Sequence, residues 1–318
     1  MLASRIVVLG ELHGTRETPR LAGEIVCAIA ERGNEVVLAL EVPETERGRI
    51  AAYLDSEGTA EDRTALLEGA FWNGNDGRTS VAMADLIERA RGLRRHRLPV
   101  FVLAMDGQRA GLTRDAVMAQ AVRDRVAERP SARVVALVGN VHGAKDRGNF
   151  FDSEYESFGY LLAPLQPLTL DVRPSKGTAW VCLAECGVHD ITPPQGASPS
   201  APGIYLGADL GPQLPYHGTV VLASAEASPP AKDRGARSPP AAARQPALGE
   251  MPETVRNNTL LAAIRRAGFY CDDVARSRET AAGVWVASCK DLGGYRIDAD
   301  AAGTFRVEPI PLHFDGVL

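Results

Sequence analysis

The feature that most constrains the fold is a set of short runs of aliphatic and β-branched residues in which polar residues do not alternate. The four clearest runs lie at residues 5–9, 35–40, 99–104 and 133–138. Strands that are buried on both faces show this pattern, and such strands occur in parallel sheets that are covered by helices. The runs therefore predict a mostly parallel sheet rather than a half-exposed one.

The stretches between these runs carry helix signals. Thr18 is expected to cap a first helix, with Pro19 at its first position. This helix is expected to end at Gly33-Asn34, which suits a left-handed cap. Ser80 is expected to cap a second helix, and a third is expected over residues 114–128. Alternating strands and helices predict a three-layer α/β domain with flanking helices.

The predicted organisation has three parts. The α/β domain covers residues 1–222, and runs at 179–184 and 219–222 are expected to extend its sheet. Residues 223–250 are rich in Pro and Ala, which predicts a linker that is disordered or polyproline II. Residues 251–318 predict a small α+β module, in which a helix near 255–267 precedes strands at 283–289, 294–299 and 304–308.

Charge and composition exclude some functions. The net charge of −5 argues against nucleic acid as the main partner, because binding to phosphate needs a basic face. No apolar run approaches the roughly 20 residues that span a bilayer. The first strand follows the N-terminus directly, which predicts a cytoplasmic protein, or a periplasmic or envelope-associated one if a leader has been trimmed. The sequence does not indicate an oligomeric state.

The cysteines give no metal signature, because the count is odd and no CxxC spacing occurs. Cys27 is expected in the core. Cys271 and Cys289 would pair in an oxidising compartment, but the expectation is that they are reduced.

Two of the predicted strands are followed by the same motif, Gly-x-x-His-Gly. The first leads into Gly10–Gly14 with His13, and the fourth into Gly139–Gly143 with His142. Ligands of open α/β sheets bind outside the carboxyl ends of the strands, where the strand order reverses. If these two strands are neighbours, their ends lie about 5 Å apart and both imidazoles can reach one point. The repetition favours a functional role over a structural one.

Carboxylates end the other two strands. Glu41 ends the second, although it could equally cap the segment that follows. Asp106 ends the third, where Asp106-Gly107 is better interpreted as a turn. His13, His142 and a carboxylate match the ligands of a divalent Mn, Zn, Fe or Co site with open positions. Without a metal, the same groups suit hydrolysis in which a carboxylate orients a histidine that activates water.

A polar loop at residues 73–78 follows Phe71-Trp72 and has two equal interpretations. It is either a loop anchored by two aromatic residues, or it carries Arg78 into the crevice to hold an anionic group or transition-state charge. His189 and His217 are expected at the surface.

Four segments together resemble the superfamily of ChaN-like haem-uptake proteins, Tiki and TraB proteins, and erythromycin esterases. They are GELHGTRETP at residues 10–19, Glu41-Val42-Pro43, Asp76-Gly77-Arg78 and GNVHG at residues 139–143, and the resemblance covers about residues 4–230. It implies that His13 and His142 are metal ligands or catalytic histidines. The residues that it implies in support are Glu11, Glu17, Glu41 and Arg78.

The members of this superfamily differ in function. Tiki-type members are regarded as metal-dependent proteases, erythromycin esterases are thought to activate water with histidine and glutamate, and ChaN-like members are associated with haem. Erythromycin esterases are longer and more helical than this chain, so a macrolide substrate is not expected. The lipobox cysteine of ChaN-like lipoproteins does not occur at this N-terminus.

The leading hypothesis is a hydrolase of an ester or amide (peptide) bond, acting with metal assistance on a small molecule or peptide. His13, Glu41 and His142 are the predicted metal ligands, and the predicted catalytic residues are Glu11, Glu17 and Arg78. The alternative is a haem- or iron-binding protein without catalytic activity, with Tyr155 and Tyr160 as candidate ligands. An inactive scaffold is a third hypothesis, disfavoured because a scaffold has no need for buried charge.

Overall fold

The computed structural model describes residues 4–149, 152–182, 186–191, 200–207, 215–232, 248–267, 269, 271, 273–290, 294–299 and 305–310. The chain divides into two compact units. The first comprises Met1–Asp55 with Thr64–Arg237, and the second comprises Ser56–Arg63 with Ser238–Leu318.

The first unit is built on a seven-stranded sheet. Its strands, in chain order, are β1 (Ile6–Glu11), β2 (Val36–Pro43), β3 (Val100–Asp106), β4 (Arg133–Gly139), β5 (Leu168–Pro174), and two later ones that we label β8 (Gly203–Leu206) and β9 (Gly218–Leu222). The spatial order is β3-β2-β4-β1-β5-β9-β8. All adjacent pairs are parallel except β8 with β9. The predicted, mostly parallel sheet is confirmed, and β1 and β4 are neighbours as the shared motif requires.

Helices cover both faces of this sheet. The helices of this unit are α1 (Glu17–Ala30), α2 (Arg47–Leu54), α4 (Val81–Arg95), α5 (Arg114–Glu128), α6 (Asn140–Gly143) and α7 (Phe158–Leu161), and α3 (Ala60–Leu67) contains residues of both units. On one face, α1, α2 and α4 pack against alternate residues of β1 such as Val7 and Leu9. On the other face, α5 and α7 pack against Ile6 and Val8. Because both faces are covered, the strands need apolar residues at successive positions, which confirms the three-layer prediction.

The predicted helix limits are right in two cases and shifted in one. Ser80 caps α4 through Met83 N–H, and α5 spans the predicted residues. The first helix begins at Glu17 rather than after Thr18, because the Thr18 side chain lies inside α1 and its hydroxyl contacts Thr15. Gly33 follows the end of α1 with a φ of 76°.

A separate hairpin follows β5. It consists of β6 (Thr178–Cys182) and β7 (Cys186–Asp190), which pair antiparallel and are closed by a disulfide between Cys182 and Cys186. The prediction that residues 179–184 extend the main sheet is therefore wrong for the described part of that run. The other predicted strand, at residues 219–222, does join the sheet as β9.

The described beginning of the predicted linker, residues 223–232, is attached to the first unit by hydrogen bonds. Ser228 N–H donates to Gly14 O at 2.8 Å, and Val81 N–H donates to Pro229 O at 2.9 Å. Ser228 and Ala231 are buried. This part of the chain is therefore not a disordered linker, because its backbone is paired with the loops around it. Residues 233–247 of the predicted linker lie outside the described residues.

The second unit contains α8 (Glu253–Arg266) and a four-stranded antiparallel sheet of β10 (Val274–Ala281), β11 (Val284–Cys289), β12 (Gly294–Ala299) and β13 (Phe305–Pro309). The predicted helix and three strands are present, and β10 is an additional strand. The segments between β11 and β12 and between β12 and β13, at residues 291–293 and 300–304, lie outside the described residues.

Cys271 and Cys289 form a disulfide, contrary to the reduced pair that the sequence predicts. The pairing of Val274 with Cys289 brings the two cysteines together, with their Cα atoms 5.6 Å apart. Cys27 is a buried free cysteine, as predicted.

None of the helices in the described part of the chain is long and apolar enough to cross a membrane.

Candidate active site

The candidate site is an open cleft of about 1300 Å³ at the carboxyl ends of β3, β2, β4 and β1. These four neighbouring strand ends carry Asp106, Glu41, Gly139 and Glu11, and all four residues line the cleft. The predicted convergence of strand ends is therefore present. The side chains that line the cleft centre are His13, Arg78, Arg114 and His142.

Glu41 contacts most of the charged side chains in the cleft. It lies near the carboxyl end of β2 with its side chain only 2% exposed, and its Oε2 accepts a hydrogen bond from Gly139 N–H at 2.7 Å. Oε1 accepts one from Arg114 Nη2 at 2.7 Å. Burial alone raises the pKa of Glu41, but the hydrogen bond from His13 and the charges of His13 and Arg114 lower it well below the ordinary range. Glu41 is therefore a buried carboxylate anion.

His13 lies between two carboxylates. Its Nδ1 is 3.0 Å from Glu11 Oε1, and its Nε2 is 3.4 Å from Glu41 Oε2. Burial lowers the pKa of His13, but the hydrogen bonds to Glu11 and Glu41 outweigh burial and raise it to about 10. Burial raises the pKa of Glu11, partly offset by the hydrogen bond with His13. The result is an imidazolium held at both ring nitrogens.

His142 has a different environment. Its Nδ1 is 2.8 Å from Oδ1 of the buried Asp115, and its Nε2 is 3.1 Å from Arg114 Nη1. Nε2 is also 3.9 Å from Glu41 Oε1. The Tyr155 hydroxyl donates to Asp115 Oδ2 at 2.9 Å. His142 therefore belongs to a second histidine–carboxylate pair, adjacent to the first.

Arg114 contacts Asp106, Glu41 and His142. Its Nε donates to Asp106 Oδ1 at 2.8 Å and its Nη2 to Asp106 Oδ2 at 2.6 Å, in a bidentate pair. The Asp106 carboxylate is therefore part of the site, although the sequence favoured a plain turn at that position. Arg114 is the first residue of α5, and Thr113 caps this helix through Ala116 N–H.

Arg78 enters the cleft from the polar loop, which favours the functional interpretation of that loop. Asp76 fixes the guanidinium through Nε at 3.1 Å and Nη2 at 2.8 Å. Nη1 points to Glu41 Oε1 at 3.5 Å and to Asp106 Oδ2 at 3.6 Å. Nη1 therefore has only long contacts in the described structure and can donate to a further acceptor.

Two motif glycines allow the parts of the site to approach one another. A Cβ on Gly139 would lie 2.8 Å from His13 Nε2, so the ring of His13 occupies the space that a side chain would need. Gly14 has a φ of 83°, and a Cβ there would lie 2.0 Å from Trp180 O. The motif glycines thus admit the histidine ring and the β6–β7 hairpin.

One predicted catalytic residue lies elsewhere. Glu17 does not line the cleft, and its Oε2 accepts a hydrogen bond from Glu226 N–H at 2.9 Å. Its position at the start of α1 gives it a role in attaching the 223–232 segment. The other predicted site residues, Glu11, His13, Glu41, Arg78 and His142, do line the cleft.

Sequence reasoning missed Arg114, Asp115 and Tyr155. Arg114 and Asp115 begin a helix, and a helix that starts beside the carboxyl edge of a sheet brings its first turn to the site. The sequence signal for this is the helix cap at Thr113, seven positions after the end of β3. Tyr155 was singled out as a haem ligand, but its hydroxyl contacts Asp115 and His142 Nδ1. No comparable sequence signal exists for that contact.

The predicted metal ligands lie together but do not fit a metal ion. Among the residues that the structure describes, no group of three or more His, Cys, Asp or Glu side chains is arranged to hold one. Arg114 donates to both Glu41 and His142, and its charge would repel a divalent cation beside them. Metal assistance by His13, Glu41 and His142 remains a prediction without a fitting ligand arrangement.

No protein-family model matches the chain, and no curated protein matches its sequence. Among solved structures, a mutant of the erythromycin esterase EreC in its open conformation matches with a TM-score of 0.51 and 12% identity, over 70% of this chain and 91% of that chain. A succinoglycan biosynthesis protein matches with a TM-score of 0.50 and 11% identity, over 71% of this chain and 89% of that chain. These likenesses confirm the predicted resemblance at the level of the fold: the chain has the α/β fold of erythromycin esterase.

Proposed function

We propose that the protein is a hydrolase of a carboxylic ester or amide bond that works by acid–base catalysis at His13 and His142. The observation that carries this proposal is the pair of histidine–carboxylate contacts, Glu11–His13 and Asp115–His142, which face one buried carboxylate in a single cleft. A histidine that is oriented by a carboxylate can take a proton from water and later return it.

The proposed reaction needs a base, an acid and a donor for the oxyanion. One imidazole takes a proton from water while the water oxygen bonds to the carbonyl carbon, and the carbonyl electron pair moves to oxygen. Arg78 Nη1 donates to the resulting oxyanion. The tetrahedral species then collapses, the C–O or C–N bond breaks, and the leaving alcohol or amine takes a proton from an imidazolium. The products are a carboxylic acid and an alcohol or amine.

The lining of the cleft supports a substrate with an apolar part. Leu12, Leu112 and Val141 line the cleft and are among the exposed large apolar residues of the chain. The three arginines in the cleft, Arg78, Arg109 and Arg114, are each paired with carboxylates. A neutral ester or amide, in a small molecule or a peptide, therefore suits the cleft better than a polyanion.

The haem alternative is less well supported. Tyr155 is half-buried and its hydroxyl is hydrogen-bonded to Asp115, so this oxygen is already engaged within the protein. A haem titration of the purified protein tests this alternative, since a Soret shift at low micromolar haem would favour it.

The experiment that tests the proposal is a hydrolysis assay on a panel of p-nitrophenyl esters, anilides and peptides. Wild type is compared with His13→Ala and His142→Ala, and His96→Ala serves as the control because His96 is an exposed residue after α4. Metal content is measured on the same samples. We expect wild type and His96→Ala to hydrolyse at least one substrate, and the two site variants to be slower on the order of 10²–10⁴-fold. Equal turnover in all four proteins, or none, would contradict the proposal.

A further inference from the structure

We infer that His142 is the base of the proposed hydrolysis, and that Asp115 and Tyr155 are positioning residues that hold its ring in the tautomer this role needs. The inference rests on the proposed function. It is argued from the hydrogen-bond partners of the two ring nitrogens of His142, because Arg114 can only donate and the Asp115 carboxylate can only accept.

Asp115 is a fully engaged carboxylate. It is 3% exposed, and its Oδ1 accepts hydrogen bonds from Phe158 N–H at 2.7 Å and from His142 Nδ1 at 2.8 Å. Its Oδ2 accepts from the Tyr155 hydroxyl at 2.9 Å. Phe158 N–H on Oδ1 and the Tyr155 hydroxyl on Oδ2 fix the plane of the carboxylate. The second lone pair of Oδ1 is then directed at the imidazole of His142.

The partner on the other ring nitrogen decides the tautomer of His142. A guanidinium has five N–H donors and no acceptor, so Arg114 Nη1 can only donate. At 3.1 Å from Arg114 Nη1, Nε2 of His142 must offer its lone pair. The ring proton therefore lies on Nδ1 and is donated to Asp115. This places a lone pair on Nε2, the nitrogen that faces the cleft.

His13 lacks such a lone pair. Its Nε2 is 3.4 Å from Glu41, a carboxylate anion that only accepts, so Nε2 carries a proton. Its Nδ1 is 3.0 Å from the buried Glu11, which occupies that nitrogen, so the ring offers no lone pair to a water. His13 suits the role of a fixed positive charge or acid, which leaves His142 as the base.

The lone pair on His142 Nε2 can be reached by a substrate water. Three other hydrogen bonds hold Arg114, to Asp106 through Nε and Nη2 and to Glu41 through Nη2, so the guanidinium stays anchored when a water replaces the Nη1 contact with His142 Nε2. Water then transfers its proton to Nε2, its oxygen bonds to the carbonyl carbon, and the new imidazolium is stabilised by Asp115. The imidazolium returns the proton to the leaving group as the C–O or C–N bond breaks.

The test uses Asp115→Asn and Tyr155→Phe in the full-length protein. Matched controls are Asp124→Asn, an exposed aspartate on the same helix whose carboxylate accepts from Gln120, and Tyr160→Phe on α7. The first readout is the ¹⁵N NMR spectrum of the His142 ring, which reports which nitrogen carries the proton without any substrate. The second is kcat and KM on the ester that is turned over best.

We expect wild type and both controls to show the proton on Nδ1 of His142. Asp115→Asn, whose amide oxygen can still accept from Phe158 N–H and His142 Nδ1, should keep the proton on Nδ1 but lose the negative charge that stabilises the imidazolium, and so lower kcat on the order of 10²–10⁴-fold with little change in KM. Tyr155→Phe keeps the fold and the aspartate, and should lower kcat roughly 3- to 10-fold, the loss of one hydrogen bond.

Three results would overturn the inference. They are a wild-type His142 with its proton on Nε2, an Asp115→Asn variant that keeps the kcat of wild type, and a Tyr155→Phe variant identical to Tyr160→Phe in both readouts. Failure of the proposed function has a different signature, because wild type would then hydrolyse nothing on the panel while the NMR spectrum still shows the proton on Nδ1.

Discussion

His13 shows how neighbouring carboxylates can outweigh burial. An imidazole taken out of water favours its neutral form, yet Glu11 and Glu41 lie within hydrogen-bond distance of its two nitrogens. The imidazolium and the arginines beside the two carboxylates in turn offset the cost of burying these carboxylates. Each charge in the cleft depends on the others, so removing one leaves an uncompensated buried charge.

The raised pKa of His13 predicts a pH dependence of stability. His13 has a pKa of about 10 in the folded protein, against an ordinary value of 6.5. Between these values the folded state binds a proton that the unfolded state does not, so its contribution is complete below the lower value and is lost as pH rises. The free energy of unfolding should therefore fall between these pH values. Urea unfolding at several pH values measures it, and His13→Gln should fall less steeply; equal slopes would refute the assignment.

Arg78 is expected to act mainly on the transition state. Its Nη1 has only long contacts in the described structure, so an oxyanion can use it without breaking a short hydrogen bond. Arg78→Ala should lower kcat by about 10²-fold or more, with a smaller effect on KM. Arg109→Ala, which removes a guanidinium paired with Glu44 in the same cleft, is the control. A loss confined to KM would show that Arg78 binds substrate instead.

The predictability of the site residues follows from how each one is positioned. Glu41 lies near the end of a buried strand, and His13 and His142 follow two others within three residues, so a sequence pattern that locates the strands also locates these residues. Asp115 reaches His142 only because α5 returns to the same edge, and Tyr155 does so from a loop. Such contacts depend on tertiary packing, which local sequence patterns do not encode.

Among the elements, the turn after β1 is held from two sides. Gly14 O accepts a hydrogen bond from Trp180 N–H in the β6–β7 hairpin at 2.9 Å, and another from Ser228 N–H at 2.8 Å. The hairpin is also attached by Trp180 Nε1, which donates to Asn75 O in the loop that carries Arg78. Sequence patterns predicted the central strands because burial on both faces is visible locally. They misplaced the hairpin and the 223–232 segment, whose hydrogen bonds join residues far apart in the chain.

Gly14→Ala tests the importance of this turn. The substitution adds the strain of a positive φ, about 1–2 kcal/mol, and a collision with a backbone carbonyl, so the total loss should be about 3 kcal/mol or more. Gly33 has a similar φ of 76° and nothing within 4 Å of its Cβ position. Gly33→Ala should therefore lose only about 1 kcal/mol. Urea unfolding followed by circular dichroism measures both losses, and equal losses would show that the contact with Trp180 is unimportant.

At the scale of the whole molecule, each unit has its own source of stability. The first unit has two apolar layers on either side of a parallel sheet, and it contains the complete cleft. The second unit has a smaller core that includes Trp285 and the Cys271–Cys289 disulfide. Small domains bury a lower fraction of their surface, so a covalent link contributes a larger share of their stability.

Removal of the disulfide between Cys271 and Cys289 should therefore affect stability and leave catalysis unchanged. The two cysteines are separated by 18 positions in sequence. The Cys271→Ser/Cys289→Ser variant should lose about 3 kcal/mol of stability in the second unit. Calorimetry measures the loss, and kcat on the best ester should match wild type. A large fall in kcat would show that the site needs the second unit.

One assay separates hydrolysis by acid–base chemistry at the two histidines from hydrolysis that depends on a metal ion. Hydrolysis of the ester and amide panel is measured for wild type and His142→Ala after removal of metal by chelation, with metal content measured in both samples. We expect wild type to keep its turnover without metal and His142→Ala to lose it. Turnover that disappears on chelation and returns with one metal, or that persists in His142→Ala, would contradict metal-free catalysis by His142.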